Sequence, residues 1–280
     1  MKPGIHKIGM QEYLSLKALS SGMCSEILNS SPLHAKFRQD NRIDEPTSAS
    51  ELGTAFHDAF LEGIDRIVAL DFPDWRTKAA KEARVEARAT GRIPMLSHKV
   101  SHVATMVAAC KEYVANSEIA GAFDDGDPEL TIVWLDSDLL CKIRPDFLTR
   151  DHRLMIHLKS TQGSAEPTSW IRNQLVPMGY DCAAEFYRRG HAAVSRDSPL
   201  QVFLVAEQNP PHGCSLVSLD PAMLEIANQK VERAVGIWRE CLRTNRYPCY
   251  PTRICYAEPK PWEVAEAERE QFDPMLGEQA

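Results

Sequence analysis

The sequence predicts an α/β fold: a central mixed sheet flanked by helices, with a helical region at its N-terminus. Three observations predict it. Apolar residues recur at helical spacing through the first 120 residues. After Gly126-Asp127-Pro128 the pattern turns to β-branched and apolar runs punctuated by turn signals. Helical spacing then returns on either side of one more apolar run, the alternation expected when helices cover a sheet. On this reading residues 1–265 form a single domain, mainly helical over 12–120 and sheet-forming with C-terminal helices over 126–265, and residues 266–280 form an acidic flexible tail.

The elements follow in order. "LSSGMCSEILNSSPLHAKFRQ" reads as two short helices broken near Ser30-Ser31-Pro32, because serine caps a helix and proline is tolerated in its first turn. In "SASELGTAFHDAFLEG" the stripe Leu52, Ala55, Phe56, Ala59 and Phe60 predicts a helix that Gly63 ends. "WRTKAAKEARVEARATGR" (75–92) carries six basic residues against two glutamates and favours helix. Its basic face is either solvated or a contact for a nucleic-acid backbone. Residues 100–119 predict a helix packing Val103, Met106, Val107 and Cys110.

"ELTIVWLDSDLLCKIRPDFLTRDHRLMIHLKST" predicts three antiparallel strands, with turns at Asp136-Ser137-Asp138 and Asp151-His152. A helical stretch "TSWIRNQLVPMGYDCAAEFYRRG" follows, broken by Pro177 and ended by Gly190. Next come a buried strand over 200–208 and a long helix with Asp220 as cap and Pro221 in its first turn. "RYPCYPTRICYAEPKPWEVAEAEREQFD" reads as an irregular segment leading into disorder.

Composition narrows the function. The formal net charge of -7 argues against a protein coated in basic surface, although a local basic groove is compatible with it. No apolar run approaches the roughly 18 residues of a membrane span, and "MKPGIHKIGMQEYL" lacks the apolar core of a secretory signal. A cytoplasmic protein is the expectation. The eight cysteines contain no CxxC pair and read as buried thiols.

The chemistry gathers on one hairpin. "MIHLKST" follows thirteen residues after "RPD", and as a strand it puts His157 and Lys159 on one face. A two-residue turn at Asp151-His152 sets Asp146 opposite His157, since both are equidistant from it. Asp146, His157 and Lys159 then converge, an arrangement that a metal site needs.

"GTAFHDAFLEG", "CKIRPDF", "IHLKST", "MGYDCAAEFY", "VAEQNPPH" and "RYPCYPTRICYAEPKPW" occur in an order that resembles the exodeoxyribonuclease VIII-like (RecE-type) phage exonucleases of the PD-(D/E)xK superfamily. The resemblance covers residues 12–265 and implies a restriction-endonuclease-like core. It further implies metal-dependent hydrolysis of DNA from linear duplex ends, with Mg²⁺ or Mn²⁺ held by His57, Asp146 and the residue at position 157. Lys159 would align the attacking water, and Arg144 would contact phosphate. Tyr180 and Tyr187, seven apart on one helical face, serve either the core or the DNA. Glu129 is a lesser site candidate. The family's partners imply a single-strand annealing protein and a ring-shaped homo-oligomer.

Two departures stand out. The family's acid before the lysine is His157, and its helical glutamine is Ala183. Glu185, two residues further on, points elsewhere around a helix. A neutral imidazole suits Mg²⁺ poorly and Mn²⁺ better. The expectation is therefore a weakened exonuclease or, alternatively, an inactive nuclease fold kept as a DNA-binding or protein-interaction module. Some members of the superfamily hold an iron–sulfur cluster, but Cys241, Cys249 and Cys255 lack the close pair typical of cluster ligation.

Overall fold

A short strand, β1 (Gly4–His6), opens the chain, followed by α1 (Met10–Ser15), α2 (Ser21–Asn29) and α3 (Pro32–Asp40). The computed structural model describes residues 1–41 and 48–272. The α2–α3 break falls at the serine–proline signal. Ser31 accepts a hydrogen bond from the His34 amide, and Pro32 occupies the first turn of α3. α4 (Ser48–Glu62) buries Ala55, Phe56, Ala59 and Phe60. It stops before Gly63, whose φ of 105° is costly for any residue with a Cβ. The basic segment forms α5 (Lys78–Ala89) between β2 (Ile67–Leu70) and β3 (Ile93–Leu96), and α6 (Ser97–Ala115) follows. β2 and β3 pair in parallel as a small sheet of their own.

The segment expected to give three antiparallel strands gives two hairpins in different sheets. After β4 (Gly126–Pro128), β5 (Thr131–Asp136) pairs with β6 (Leu139–Ile143), and β1 joins them in the order β1-β5-β6. The next hairpin, β7 (Phe147–Thr149) with β8 (Leu154–Thr161), lies within the main sheet, whose order is β10-β9-β8-β7-β4. Pro145 separates the two hairpins; it donates nothing to a ladder, and the chain changes sheet there.

β8 and β9 (Leu200–Glu207) run parallel, and every other pairing in the main sheet is antiparallel. A parallel pair needs a crossover. Here it consists of α7 (Pro167–Trp170), a wider helical turn over Ile171–Leu175, and α8 (Tyr180–Ala192). Gly190 does not end that helix, as its sequence position led us to expect. It lies inside α8, where a Cβ would approach Trp134 and Ile143 to 2.7 and 2.8 Å, so glycine is there for close packing. β10 (Cys214–Val217) and α9 (Pro221–Thr244) complete the unit, with Asp220 accepting from the Met223 amide at the head of α9.

Helices cover both faces of the main sheet. One core joins α2, α8 and α9 to β5 and β6 through Trp134, Phe186 and Trp238. Another packs Phe56 of α4 and Val103 of α6 on Ile156 and Leu204 of the main sheet. Cys24 and Cys241 are buried thiols in the first core, as expected, whereas Cys249 and Cys255 are exposed. No helix among the described residues is long and apolar enough to cross a membrane.

This first unit spans Met1–Pro248, and a second begins at Cys249. Residues 249–260 carry no helix or strand, as expected, but Pro261–Phe272 form a helix, α10, where disorder was expected. Glu263 in its first turn accepts a hydrogen bond from the Lys260 amide at 2.6 Å, a cap the acidic composition had obscured. Residues 273–280, the remainder of the expected tail, lie outside the described residues.

Candidate active site

The β7–β8 register sets the geometry of the site. Phe147 faces Ile156 and Leu148 faces Met155, so the next step inward sets Asp146 against His157, as the sequence implies. The turn itself is longer than two residues. Residues 150–153 form the loop, and Thr149 Oγ1 closes it by accepting from the Leu154 amide (3.0 Å) and donating to Asp151 Oδ1 (2.7 Å). The longer loop keeps the same midpoint, so the facing pairs are unchanged.

Asp146 is fixed from three directions. The Leu158 amide donates to Oδ2 at 2.7 Å, and Lys159 Nζ lies 3.7 Å from the same oxygen. His57 Nε2 lies 3.2 Å from Oδ1. α4 delivers that imidazole because Gly53, one turn earlier, lets the helix rest on β8: a Cβ there would come 2.8 Å from Ser160 Oγ. The other ring nitrogen of His57 faces Asp58 Oδ1 at 3.4 Å.

The electrostatics follow from these contacts. Burial opposes charge on His57, but hydrogen bonds to Asp146 and Asp58 outweigh it and raise its pKa to about 10. Burial likewise opposes charge on Asp146, yet Lys159 and then His57 hold its carboxyl well below the ordinary carboxylate range. Asp146 is therefore ionised and, without a bound cation, His57 carries a proton at neutral pH.

His157 lives in a different setting. It is 5% exposed, and burial pulls its pKa down to about 4 against the weaker opposing pull of Asp146, so its imidazole is neutral. Its Nε2 sits 3.0 Å from Gln201 Oε1, while Gln201 Nε2 donates to the Ala184 carbonyl at 2.7 Å. That second bond fixes the amide orientation, so His157 Nε2 carries the hydrogen. Tyr187 meets the ring edge-on at 4.9 Å and Phe203 flanks it at 5.2 Å.

The remaining expected residues divide. Tyr180 lies under Lys159, with Nζ 5.3 Å from its ring centroid, and stacks on Trp170. Tyr187 donates to the Arg144 carbonyl at 3.0 Å. Arg144 is turned inward: Nη2 donates to Glu129 at 2.8 Å and Nη1 to the Ile8 carbonyl at 2.8 Å and Thr131 Oγ1 at 3.2 Å. At 9% side-chain exposure its guanidinium braces the N-terminal segment instead of facing a phosphate. Glu185, buried, pairs with Arg188 and Arg189 away from the cleft. Asp58 and Gln201 were not singled out from sequence. Asp58 had the signal of an acid adjacent to a candidate ligand, whereas Gln201 had only its polarity within "LQVFLVAE".

The pair Asp146 and Lys159 lies between two clefts. One, about 460 Å³, contains His57, Asp58 and Glu129. The other, about 390 Å³, lies between α2 and α8 and contains His157. In the first, His57, Asp58 and Glu129 can each offer one ligand atom within 4.8 Å of the others, with Asp146 beside them. Carboxylate oxygens plus one imidazole suit Mg²⁺ or Mn²⁺. A carboxylate field strong enough to keep His57 protonated up to about pH 10 is one that accepts further positive charge. The residues present fit a divalent ion.

A mixed sheet between helices, with an acid and a lysine converging at a hairpin, defines a PD-(D/E)xK-type domain. The family model of DUF3799, described as a PDDEXK-like domain of unknown function, matches residues 20–258, and the chain belongs to that family. Among solved structures, the "Putative exonuclease" from Eubacterium rectale superposes with a TM-score of 0.62 at 11% identity, covering 92% of this chain and 98% of that one. This likeness shows a shared fold. A second structure, SSO0001, reaches a TM-score of 0.26 at 10% identity, over 81% of this chain and 88% of that one, and carries no argument. No curated protein matches the chain.

Proposed function

We propose that this protein is a metal-dependent DNA exonuclease of the phage recombination type, hydrolysing phosphodiester bonds at linear duplex ends. One observation carries the reading. The Asp146 carboxylate is held between Lys159 Nζ at 3.7 Å and His57 Nε2 at 3.2 Å, beside a cluster able to take a cation. The PDDEXK-like family and the exonuclease-like fold support it.

A bound Mg²⁺ or Mn²⁺ would supply a Lewis acid that steadies charge building on the phosphoryl oxygens. Asp146 and His57 would hold it, His57 first giving up its proton, with Asp58 and Glu129 close enough to complete the set. Lys159 is a compact cation over Tyr180, suited to aligning the attacking water and meeting the phosphate. Tyr180 borders both clefts and would lie along the strand. An annealing protein as partner and a ring-shaped oligomer around DNA belong to the same proposal, as does action in the cytoplasm.

A second reading is favoured by His157. Its Nε2 is engaged by Gln201, and the imidazole contributes no negative charge where an acid would. A chain that binds DNA without cutting it would follow. The two readings separate when linear and circular duplexes are incubated with Mg²⁺ or Mn²⁺. We expect slow, Mn²⁺-preferring loss of the linear form, abolished in Lys159→Ala and strengthened about tenfold in His157→Asp. Unchanged cutting by Lys159→Ala would defeat the site assignment. Silence in every variant, with DNA binding intact, would establish the non-enzymatic reading.

A further inference from the structure

Two helices that pack closely normally fill the groove between them with interdigitating side chains. α2 and α8 leave theirs open beside Asp146 and Lys159, as a cleft of about 390 Å³. The cause is legible in both helices. α2 presents Ser21, Ser25 and Asn29, a polar stripe at four-residue spacing, and α8 presents Ala183 where a longer side chain would close the gap. His157 and Phe203 line it from the sheet.

Three features shape the groove and leave it open to a ligand. Tyr187 reaches Ser21 on one side and the Arg144 carbonyl on the other, so the wall nearest the catalytic pair is rigid. The side chains of Ser25 and Asn29 have no hydrogen-bond partner among the described residues. The two helices meet at Gly179, which has φ 71° and where a Cβ would come 2.6 Å from Ser25 Oγ.

The chemistry of the walls selects the occupant. Hydroxyl and amide groups offer both donors and acceptors, as an uncharged heteroaromatic edge requires. Two cations line the cleft: Arg38 at the rim is tied to Glu26 at 2.7 Å, whereas Lys159 meets Asp146 only at 3.7 Å and is the one placed to take a phosphate. The volume lies at the lower end of the range for small-ligand pockets, about 300–1,000 Å³. We propose that this groove is a nucleotide subsite. It would seat one nucleotide of a DNA strand, with its base against Ser25 and Asn29 and its phosphate at Lys159. The orientation rests on the nuclease reading; the binding itself does not.

Thymidine 5′-monophosphate titrated calorimetrically into the full chain tests it, with inorganic phosphate as comparison. Wild type should bind the nucleotide more tightly than phosphate. Ala183→Leu, which fills the groove from a partly exposed position, should weaken the nucleotide about tenfold or more and leave phosphate unchanged, a difference of about 1.4 kcal/mol. The double variant Ser25→Ala/Asn29→Ala changes only groove-facing groups and should weaken it by several-fold, even if Ala183→Leu proves unstable. Wild-type affinity for the nucleotide in the folded variants, or no binding by wild type at millimolar concentration, overturns the proposal. Nucleotide binding without DNA cleavage would support the groove and count against the nuclease reading. Cleavage with an unchanged KM in Ala183→Leu would do the reverse.

Discussion

Two histidines stand on opposite sides of the same aspartate and lead opposite lives. His57 lies between Asp146 and Asp58 and holds a proton up to about pH 10. His157, opposite Asp146 in the hairpin register, is sealed under Tyr187 and Phe203 and stays neutral down to about pH 4. Residue type did not decide this; partners did. A carboxylate on each ring nitrogen makes an imidazole a cation, whereas an amide oxygen in a dry setting keeps it neutral. On the His57 side the protein is prepared for positive charge, and on the His157 side for an uncharged surface.

The largest effect that sharpens this contrast comes from the residue they share. Asp146→Asn should cut DNA hydrolysis by about 10²–10³-fold, the scale of losing one preorganised electrostatic group. The same change should lower the His57 pKa, read by NMR titration. A His57 pKa that stays near 10 in that variant would break the comparison.

Next in size is the dependence of stability on pH, measured with a chelator present. His157 has a folded pKa below its ordinary 6.5, so its contribution is complete above pH 6.5 and drains away as pH falls toward 4. His57 has a folded pKa above 6.5, so its contribution is complete below pH 6.5 and is lost as pH rises through about 10. Urea melts across pH should show His157→Gln flattening the acid limb and His57→Gln flattening the alkaline one. Both variants altering the same limb would show the assignment to be mistaken.

Smaller still is Gln201→Leu, which strands the His157 N–H in a buried site and should cost about 1–3 kcal/mol by urea denaturation. The smallest is Asp58→Asn. It should lower the His57 pKa yet leave it above 6.5, because Asp146 remains the stronger partner.

Much of the geometry of this candidate site was legible in the sequence, and the reasons are local. Asp146, His157 and Lys159 converge because strand alternation and a symmetric turn need no knowledge of the remaining fold. The turn proved four residues long instead of two and changed nothing, since only its midpoint mattered. Arg144 illustrates the limit. Its neighbours in sequence placed it beside the site, but its guanidinium is claimed by Glu129 and by Ile8, far away along the chain. Gln201 was equally hidden, because its partner belongs to a strand paired across a long crossover. The division of the strands into two sheets also escaped, since periodicity reports which face a residue takes and not which ladder it joins. Gly190 was misread because a glycine under an indole looks, in sequence, like one that stops a helix.

Gly53 gives the candidate cation site a dependence that no ligand inventory would reveal. The helix bearing His57 rests on Ser160 across a gap that even a methyl group would overfill. Alanine there would push Ser160 Oγ off its hydrogen bond with Gln208 or, where the serine holds, move the turn that carries His57. The reach of the histidine thus depends on a missing side chain one turn away, and binding of the proposed ion could be weakened while every donor atom is retained.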